Sequence, residues 1–383
     1  MLYHRCYRLI FERWGLISAF RVFRYISFRM VAAAMTAFLV GMVAGPFLIR
    51  WLKARRITER TDKTDSPVIA RLHSGKASVP TMGGIIILGS ILASTLLWAR
   101  LNDVYVLVAV AVVAGLGSLG AADDWIKLTH AVSHGLTRRQ KLVVQTALGA
   151  AVALSLYFAT TDGPLSVRYY LSPRGELTGA RLAIPFMAGT YLPLGLVGFL
   201  LLTTVVLVGS SNAVNLTDGL DGLAISCVAM ADIAFAAMAY IAGRVDFSRY
   251  LFIPYAPGVG ELAVFCGAIL GAALAFLWFN CYPAEVFMGD TGSLALGGAL
   301  GYVAVATRQE LLLLVVGGVF VAEALSVIIQ VVHFKRTGRR VFLCTPLHHH
   351  FQFKGWPETK VTVRFGIVAA VLAALSVATL KLR

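Results

Sequence analysis

Apolar residues fall in ten long runs, near positions 30–50, 80–99, 104–122, 142–160, 190–208, 223–242, 261–279, 293–307, 311–332 and 363–380. Runs of this kind, nearly free of charge, predict helices that cross a bilayer. An even number of crossings puts both termini on one side. Residues 1–29 are patterned differently, with six arginines interleaved with Phe11, Trp14, Ile17, Phe20, Phe23 and Ile26. No uninterrupted apolar core precedes a small-residue cleavage site there, so a signal peptide is not expected. An amphipathic helix lying in the membrane interface fits the mixture. The expected fold class is therefore all-α and polytopic, with about ten transmembrane helices over 30–380 behind an N-terminal interfacial helix over 1–29. No low-complexity linker, charge block or internal repeat divides the chain, so one integral-membrane domain over 1–383 is expected.

Composition agrees with the pattern. Of the 383 residues, 58% are hydrophobic and 14% charged, against about 25% charged in soluble domains. The five cysteines (Cys6, Cys227, Cys266, Cys281 and Cys344) are scattered, odd in number and without a CxxC pair. They predict neither a disulfide framework nor a zinc site. A net charge of +15 suits loops held at an anionic leaflet of membrane lipids. It also suits phosphate-bearing substrates, and nothing points to nucleic-acid recognition.

Charge then orients the bundle. The odd-numbered connections, roughly 51–79, 123–141, 209–222, 280–292 and 333–362, hold 17 Lys and Arg, whereas the even-numbered ones and the C-terminal tail hold nine. Residues 1–29 add six to the second side, but an interfacial helix places its arginines by itself. The positive-inside rule therefore makes the odd connections cytoplasmic and both termini extracytoplasmic. The even connections read as short or featureless.

Polar residues that interrupt the apolar pattern gather in the odd connections. In 209–222, Asn212, Asn215, Asp218 and Asp221 recur every third residue, which places them on about one face of a helical turn. Gly219 and Gly222 follow the two carboxylates and permit a tight turn or a close approach. The first odd connection contains Lys76 and Pro80-Thr81-Met82-Gly83-Gly84, and the second opens on Asp123-Asp124. The fourth holds Asn280 and Phe287-Met288-Gly289-Asp290-Thr291-Gly292-Ser293, and the fifth Pro346-Leu347-His348-His349-His350. Counting spans puts all five motifs on one membrane face without using their chemistry.

Each motif also has a plain structural role. Adjacent Asp123 and Asp124 point about 100° apart on a helix, so both are not expected to bind one ion in the same way. Asp290 precedes an apolar helix, where a carboxylate caps the N-terminus. Three successive histidines point in different directions and do not make a zinc cage. Donors to a phosphate, or a cap on a pocket, suit them better. Lys76 and Lys141 individually read as solvated loop charges. Glu323 and Asp232 lie inside apolar runs, where carboxylates usually mark function. An interhelical hydrogen bond is preferred for Asp232. Glu323 shares the ninth run with Gln330 and leads to the histidines.

Taken together, Asp123, Asp124, Asp218, Asp221 and Asp290 would converge near Lys76 and the histidines. Two like charges 4 Å apart cost about 4 kcal/mol at an effective dielectric near 20. Five clustered carboxylates therefore require a cation, protonation or separation. Mg²⁺ is a hard, oxygen-seeking cation usually shared with substrate phosphates. Carboxylates, metal and phosphate-friendly groups suggest phosphoryl transfer at a membrane surface. A transporter would concentrate polar groups near mid-membrane, whereas here they sit at span ends. The Asp-Gly-x₂-Ala-Arg spacing of CDP-alcohol phosphotransferases is absent.

With these residues in place, the sequence resembles the polyprenyl-phosphate N-acetylhexosamine-1-phosphate transferases over nearly its whole length. The supports are Pro80-Thr81-Met82-Gly83-Gly84, Asp123-Asp124, Asn212 through Gly222, Phe287-Met288-Gly289-Asp290 and Pro346-Leu347-His348-His349-His350. Their joint order is specific, and the triple histidine after a proline resembles the muramoyl-pentapeptide branch rather than relatives using other UDP-sugars. The resemblance implies a bacterial cytoplasmic (inner) membrane enzyme with a cytoplasmic cleft. It implies transfer from UDP-N-acetylmuramoyl-pentapeptide to undecaprenyl phosphate with Mg²⁺, giving lipid I and UMP, and leaves room for a homodimer. It assigns Asp290 to the Mg²⁺, and Asp123 and Asp124 to acceptor activation or metal support. Asn215, Asp218, Asp221 and Phe287 correspond to the nucleotide pocket. Lys76, Thr81, Lys141, Asn212, Gly219, Leu220, Asn280, Gln330, His348, His349 and His350 correspond to the rest of the substrate cleft. Ala122 and Trp125 beside the aspartate pair, and the arginine-rich start, depart from the family pattern.

Overall fold

The structure, a computed structural model, describes residues 18–55, 57, 79–129, 135–160, 169–171, 175–177, 181–185, 187 and 190–382. Helices α1 (Ile26–Ala54), α2 (Gly84–Trp98), α3 (Val104–Thr129) and α4 (Arg138–Thr160) come first. After two small hairpins follow α5 (Gly195–Thr217), α6 (Leu223–Ala242), the short α7 (Val245–Leu251), α8 (Leu262–Asn280) and α9 (Gly289–Ala306). The chain ends with α10 (Leu313–Val316), α11 (Gly318–Thr337), α12 (Leu347–Phe353) and α13 (Glu358–Thr379). Among the described residues, eight helices are long and apolar enough to cross a membrane, and α2 is a shorter apolar helix. With α9 these coincide with the ten apolar runs, so the all-α polytopic expectation holds.

The boundaries differ from the runs in a consistent way. On the face carrying the polar motifs, α3 continues to Thr129, α5 to Thr217 and α11 to Thr337, while α4 begins at Arg138, α9 at Gly289 and α13 at Glu358. A helix satisfies its own backbone wherever its hydrogen-bond ladder continues, so it need not stop where side chains turn polar. Asp123, Asp124, Asn212, Asn215 and Asp290 therefore sit on helices and not in the loops expected for them.

Helices α8 and α9 form the interior, burying nearly every side chain. Gly41 and Gly45 of α1 lie against Ala275 and Phe279 of α8, a small-residue contact that lets helix backbones come close. At the opposite end of the bundle, buried Arg29 pairs with Glu261 through two 2.6 Å bonds and donates to the Trp98 carbonyl at 3.2 Å. Arg29 thus belongs to α1 and not to an interfacial segment. Ser18–Arg24 forms a 3₁₀ helix, and most of the expected N-terminal interfacial helix lies outside the described residues.

The connection after α4 is not featureless. Tyr169–Leu171 (β1) pairs antiparallel with Gly175–Leu177 (β2), and Arg181–Ala183 (β3) with Tyr191–Pro193 (β4). Strands of three residues are too short to show an alternating pattern.

Candidate active site

Asp123, Asp124 and Asp290 each present a carboxylate oxygen within 4.8 Å of the others, close enough to share one metal ion. Three hard oxygen donors suit a hard divalent cation. Two ammonium groups stand among them. Lys127 Nζ is 2.6 Å from Asp123 Oδ2, 3.3 Å from Asp290 Oδ2 and 3.7 Å from Asp124 Oδ1. Lys141 Nζ is 2.8 Å from Asp123 Oδ2 and 2.6 Å from Asp290 Oδ2. These lysines offset most of the carboxylate repulsion that the sequence made unavoidable, so Lys141 is not a solvated loop charge.

The three aspartates are held differently. Asp123 Oδ1 accepts the Leu136 amide at 2.7 Å. Asp124 Oδ2 accepts the Thr291 amide and hydroxyl at 3.0 and 2.8 Å, and its Oδ1 accepts the Asp290 amide at 3.3 Å. It therefore satisfies free amides at the start of α9, where a negative charge is favoured. Asp290 Oδ1 accepts from Asn215 Nδ2 at 2.9 Å, and the same amide group reaches Ser293 Oγ at 2.8 Å. The Asp290 side chain is 16% exposed, against 0% and 5% for Asp123 and Asp124. Asp290 is the most open of the three carboxylates, while Lys127 and Lys141 are more exposed still, at 41% and 22%.

Close backbone contacts set this geometry. A Cβ on Gly120 would run into the Asp290 carbonyl, so α3 and α9 touch main chain to main chain. The Pro80–Gly84 motif is joined to the segment before α9 by three backbone bonds. Gly83 and Gly84 donate to the Phe287 and Met288 carbonyls at 2.8 and 2.9 Å, and Phe287 donates to Pro80 at 2.8 Å. That seam brings Thr81 beside Gly289. Gly289 has φ +72°, and any Cβ there would crowd the Thr81 hydroxyl and Asp124.

The turn between α5 and α6 forms a neighbouring floor. Asp218 closes α5, Gly219 turns back on Thr217, and Leu220 is buried. Asp221 Oδ2 accepts the Ala284 amide at 3.0 Å, and the Gly222 amide donates to Asn280 Oδ1 at 3.0 Å. Asn280 also donates to the Val286 carbonyl at 2.8 Å. Asp218 and Asp221 lie outside the trio of aspartates that can share an ion. Asn212 faces α4, donating to Gln145 Oε1 at 2.9 Å. Phe287 is half-buried beside the floor's connector.

The histidines reach the floor from α12. His348 is buried, and its amide donates to Glu323 Oε1 at 3.1 Å while its Nδ1 lies 3.2 Å from Glu323 Oε2. Its ring presses on Gly219 so closely that no Cβ would fit there. His349 Nδ1 lies 2.8 Å from Gln352 Oε1. His350 Nδ1 accepts the Leu343 amide at 3.2 Å. Burial, then the Lys354 charge, hold the His350 pKa below the usual histidine range, which keeps that acceptor neutral. Gln330 accepts the Val341 and Phe342 amides, both at 3.0 Å. Gln330 and His350 thus shape the segment that delivers the other two histidines. Lys76 lies outside the described residues.

Comparison with known proteins decides the family. The profile of glycosyl transferase family 4 matches residues 105–308. A phospho-N-acetylmuramoyl-pentapeptide-transferase from Thermodesulfovibrio yellowstonii is 47% identical over 378 residues, covering 98% of this chain and 99% of that protein. The chain belongs to glycosyl transferase family 4. The family match contains the three aspartates, both lysines and the α5–α6 turn. Glu323 and the histidines fall beyond it, within the longer match to the relative.

Three residues around the aspartates carry no assigned role from the sequence, although Thr291 and Ser293 stand in the motif that begins at Phe287. Lys127 follows Asp123 and Asp124 by four and three residues on one helix, the spacing at which opposite charges meet, and that signal was available. Thr291 and Ser293 had no such signal, because their partners are 167 and 78 residues away in sequence. Glu323, the carboxylate inside the ninth apolar run, meets His348. Asp232, also buried in the bundle, lies beside Cys266 of α8.

Proposed function

We propose that this membrane transferase moves phospho-N-acetylmuramoyl-pentapeptide from its UDP-linked donor to undecaprenyl phosphate, releasing UMP and forming lipid I for peptidoglycan synthesis. The carrying observation is the trio Asp123, Asp124 and Asp290 with Lys127 and Lys141 at one end of the bundle. It occurs in a chain that matches the named relative almost end to end. The basic odd connections favour the cytoplasmic side of a bacterial inner membrane for this end, with both termini outside. The chain is taken as one membrane domain.

Asp290 holds Mg²⁺ in this reading, supported by Asp123 and Asp124. When bound, the ion neutralises the donor diphosphate and the charge building on UMP. Lys127 and Lys141 face the same phosphates, and Asn215 fixes the orientation of Asp290. Asp218, Gly219, Leu220, Asp221, Asn280 and Phe287 receive the nucleotide, with Thr81, Lys76 and the histidines closing the cleft. Asn212 acts from behind, through Gln145. The acceptor phosphate is already anionic, and a carboxylate such as Asp123 would take its last proton, whose pKa is near 6. A lipid phosphate oxygen then bonds to the sugar-bearing phosphorus. The bond from that phosphorus to the bridging oxygen breaks, and its electron pair leaves with UMP. The alternative route passes through a covalent phospho-sugar on Asp290.

Purified protein given UDP-N-acetylmuramoyl-pentapeptide, undecaprenyl phosphate and Mg²⁺ should release UMP and lipid-linked sugar in equal amounts. Equal turnover of UDP-N-acetylglucosamine would move the protein to another branch of the family. Radiolabelled sugar phosphate trapped on the protein without lipid would overturn direct attack.

A further inference from the structure

We infer that Glu358 is a positioning residue that sets the nucleotide floor from the C-terminal helix, an inference that rests on the nucleotide reading of the α5–α6 turn. Helix α13 supplies none of the residues that the sequence placed in the site. Its first turn nonetheless grips one residue of the floor by its main chain. Glu358 Oε1 accepts the Asp221 amide at 2.8 Å, and the Thr362 hydroxyl donates to the Asp221 carbonyl at 3.1 Å. Residues four apart share one helix face, so a single face of α13 holds the amide and the carbonyl of Asp221.

Two other polar groups of the turn are held from other directions. The Asp221 carboxylate takes the Ala284 amide, and the next amide, Gly222, goes to Asn280. Those two contacts come from α8 and the connector behind it, whereas Glu358 and Thr362 reach the turn from α13. Charge makes Glu358 the stronger of the two, because hydrogen bonds to an ionised acceptor are about twice as strong as neutral ones. The position also joins two parts of the cleft. Trp356, two residues before Glu358, stacks on Phe351 of α12 with ring centroids 4.6 Å apart. Phe351 follows the histidine triplet directly, and His348 presses on Gly219. The α12–α13 junction thus fixes the floor and the histidines above it together.

A residue that merely stabilised the bundle would affect donor and acceptor alike. Glu358 should affect the donor alone. In full-length protein in lipid nanodiscs, Glu358→Ala should raise the donor KM about tenfold and weaken UMP binding in the same proportion, with acceptor KM and kcat within about twofold. Glu358→Gln should restore a large part of both, since the neutral amide oxygen still accepts the Asp221 amide, though more weakly than the carboxylate. If Glu358→Ala does not fold, Thr362→Val removes only the second contact and should raise the donor KM about threefold. Equal rises in both KM values, a fall in kcat alone, or no restoration by glutamine would overturn the inference. Equilibrium binding of UMP separates the two levels of argument. No UMP binding by the wild type would remove the nucleotide reading itself. Wild-type binding matched by Glu358→Ala would remove only the role of Glu358.

Discussion

Asp290→Asn is expected to lower turnover about a thousandfold or more at saturating substrates, the scale of losing a principal electrostatic contact to a transition state. Asparagine keeps the shape of aspartate, and its carbonyl oxygen can still accept from Asn215. It removes the negative charge facing Lys127 and Lys141, which stand 3.3 and 2.6 Å from Asp290 Oδ2. It also removes the most exposed carboxylate of the only group of three or more metal-competent side chains among the described residues. The Mg²⁺ concentration for half-maximal activity should rise, while elution on size exclusion and the thermal unfolding midpoint stay near those of the wild type. Turnover within about tenfold of the wild type would place the metal elsewhere.

Gly120→Ala should disable the same centre without touching a charge. The added methyl group would meet the Asp290 carbonyl and the Thr291 amide, which are main chain on the facing helix. No side chain can rotate away, so α3 and α9 must separate. Overpacking of this kind costs about 1–3 kcal/mol, and a displacement of about 1 Å in a positioned site costs roughly a hundredfold in rate. Turnover should therefore fall about a hundredfold in protein that still purifies as a folded species. Gly89→Ala on α2 is the control, since nothing lies within 4 Å of its added Cβ. Equal behaviour of the two variants would mean that the α3–α9 contact does not set the site.

These two variants mark what was legible in the chain. Asp290 could be read directly, because a carboxylate between glycines ahead of an apolar run is visible without a partner. The ten spans were legible for the same reason, since each depends on its own residues. Helix ends were less so. Apolar runs report where lipid or core contact ends, whereas α3, α5 and α9 follow their backbone ladders into polar sequence. The three-residue spacing of Asn212, Asn215, Asp218 and Asp221 was real, but it did not give them a shared task. Asn212 turns to Gln145, Asn215 to Asp290 and Asp221 to Ala284. Those partners are set by how α4, α9 and the α8–α9 connector come together, which no local pattern encodes. The crowding expected of five carboxylates is relieved by separation of Asp218 and Asp221 from the trio and by the two lysines.

The most direct test of the metal-centred account replaces Mg²⁺ with Mn²⁺ and locates the ion by anomalous scattering in crystals of the full-length protein. One ion should lie beside Asp290 at a first-row metal–oxygen distance of about 2.2 Å, with Asp123 or Asp124 on its other side. It should be lost in Asp290→Asn. A fully active enzyme with its only Mn²⁺ peak away from Asp123, Asp124 and Asp290, or with none at concentrations that saturate turnover, would contradict the account.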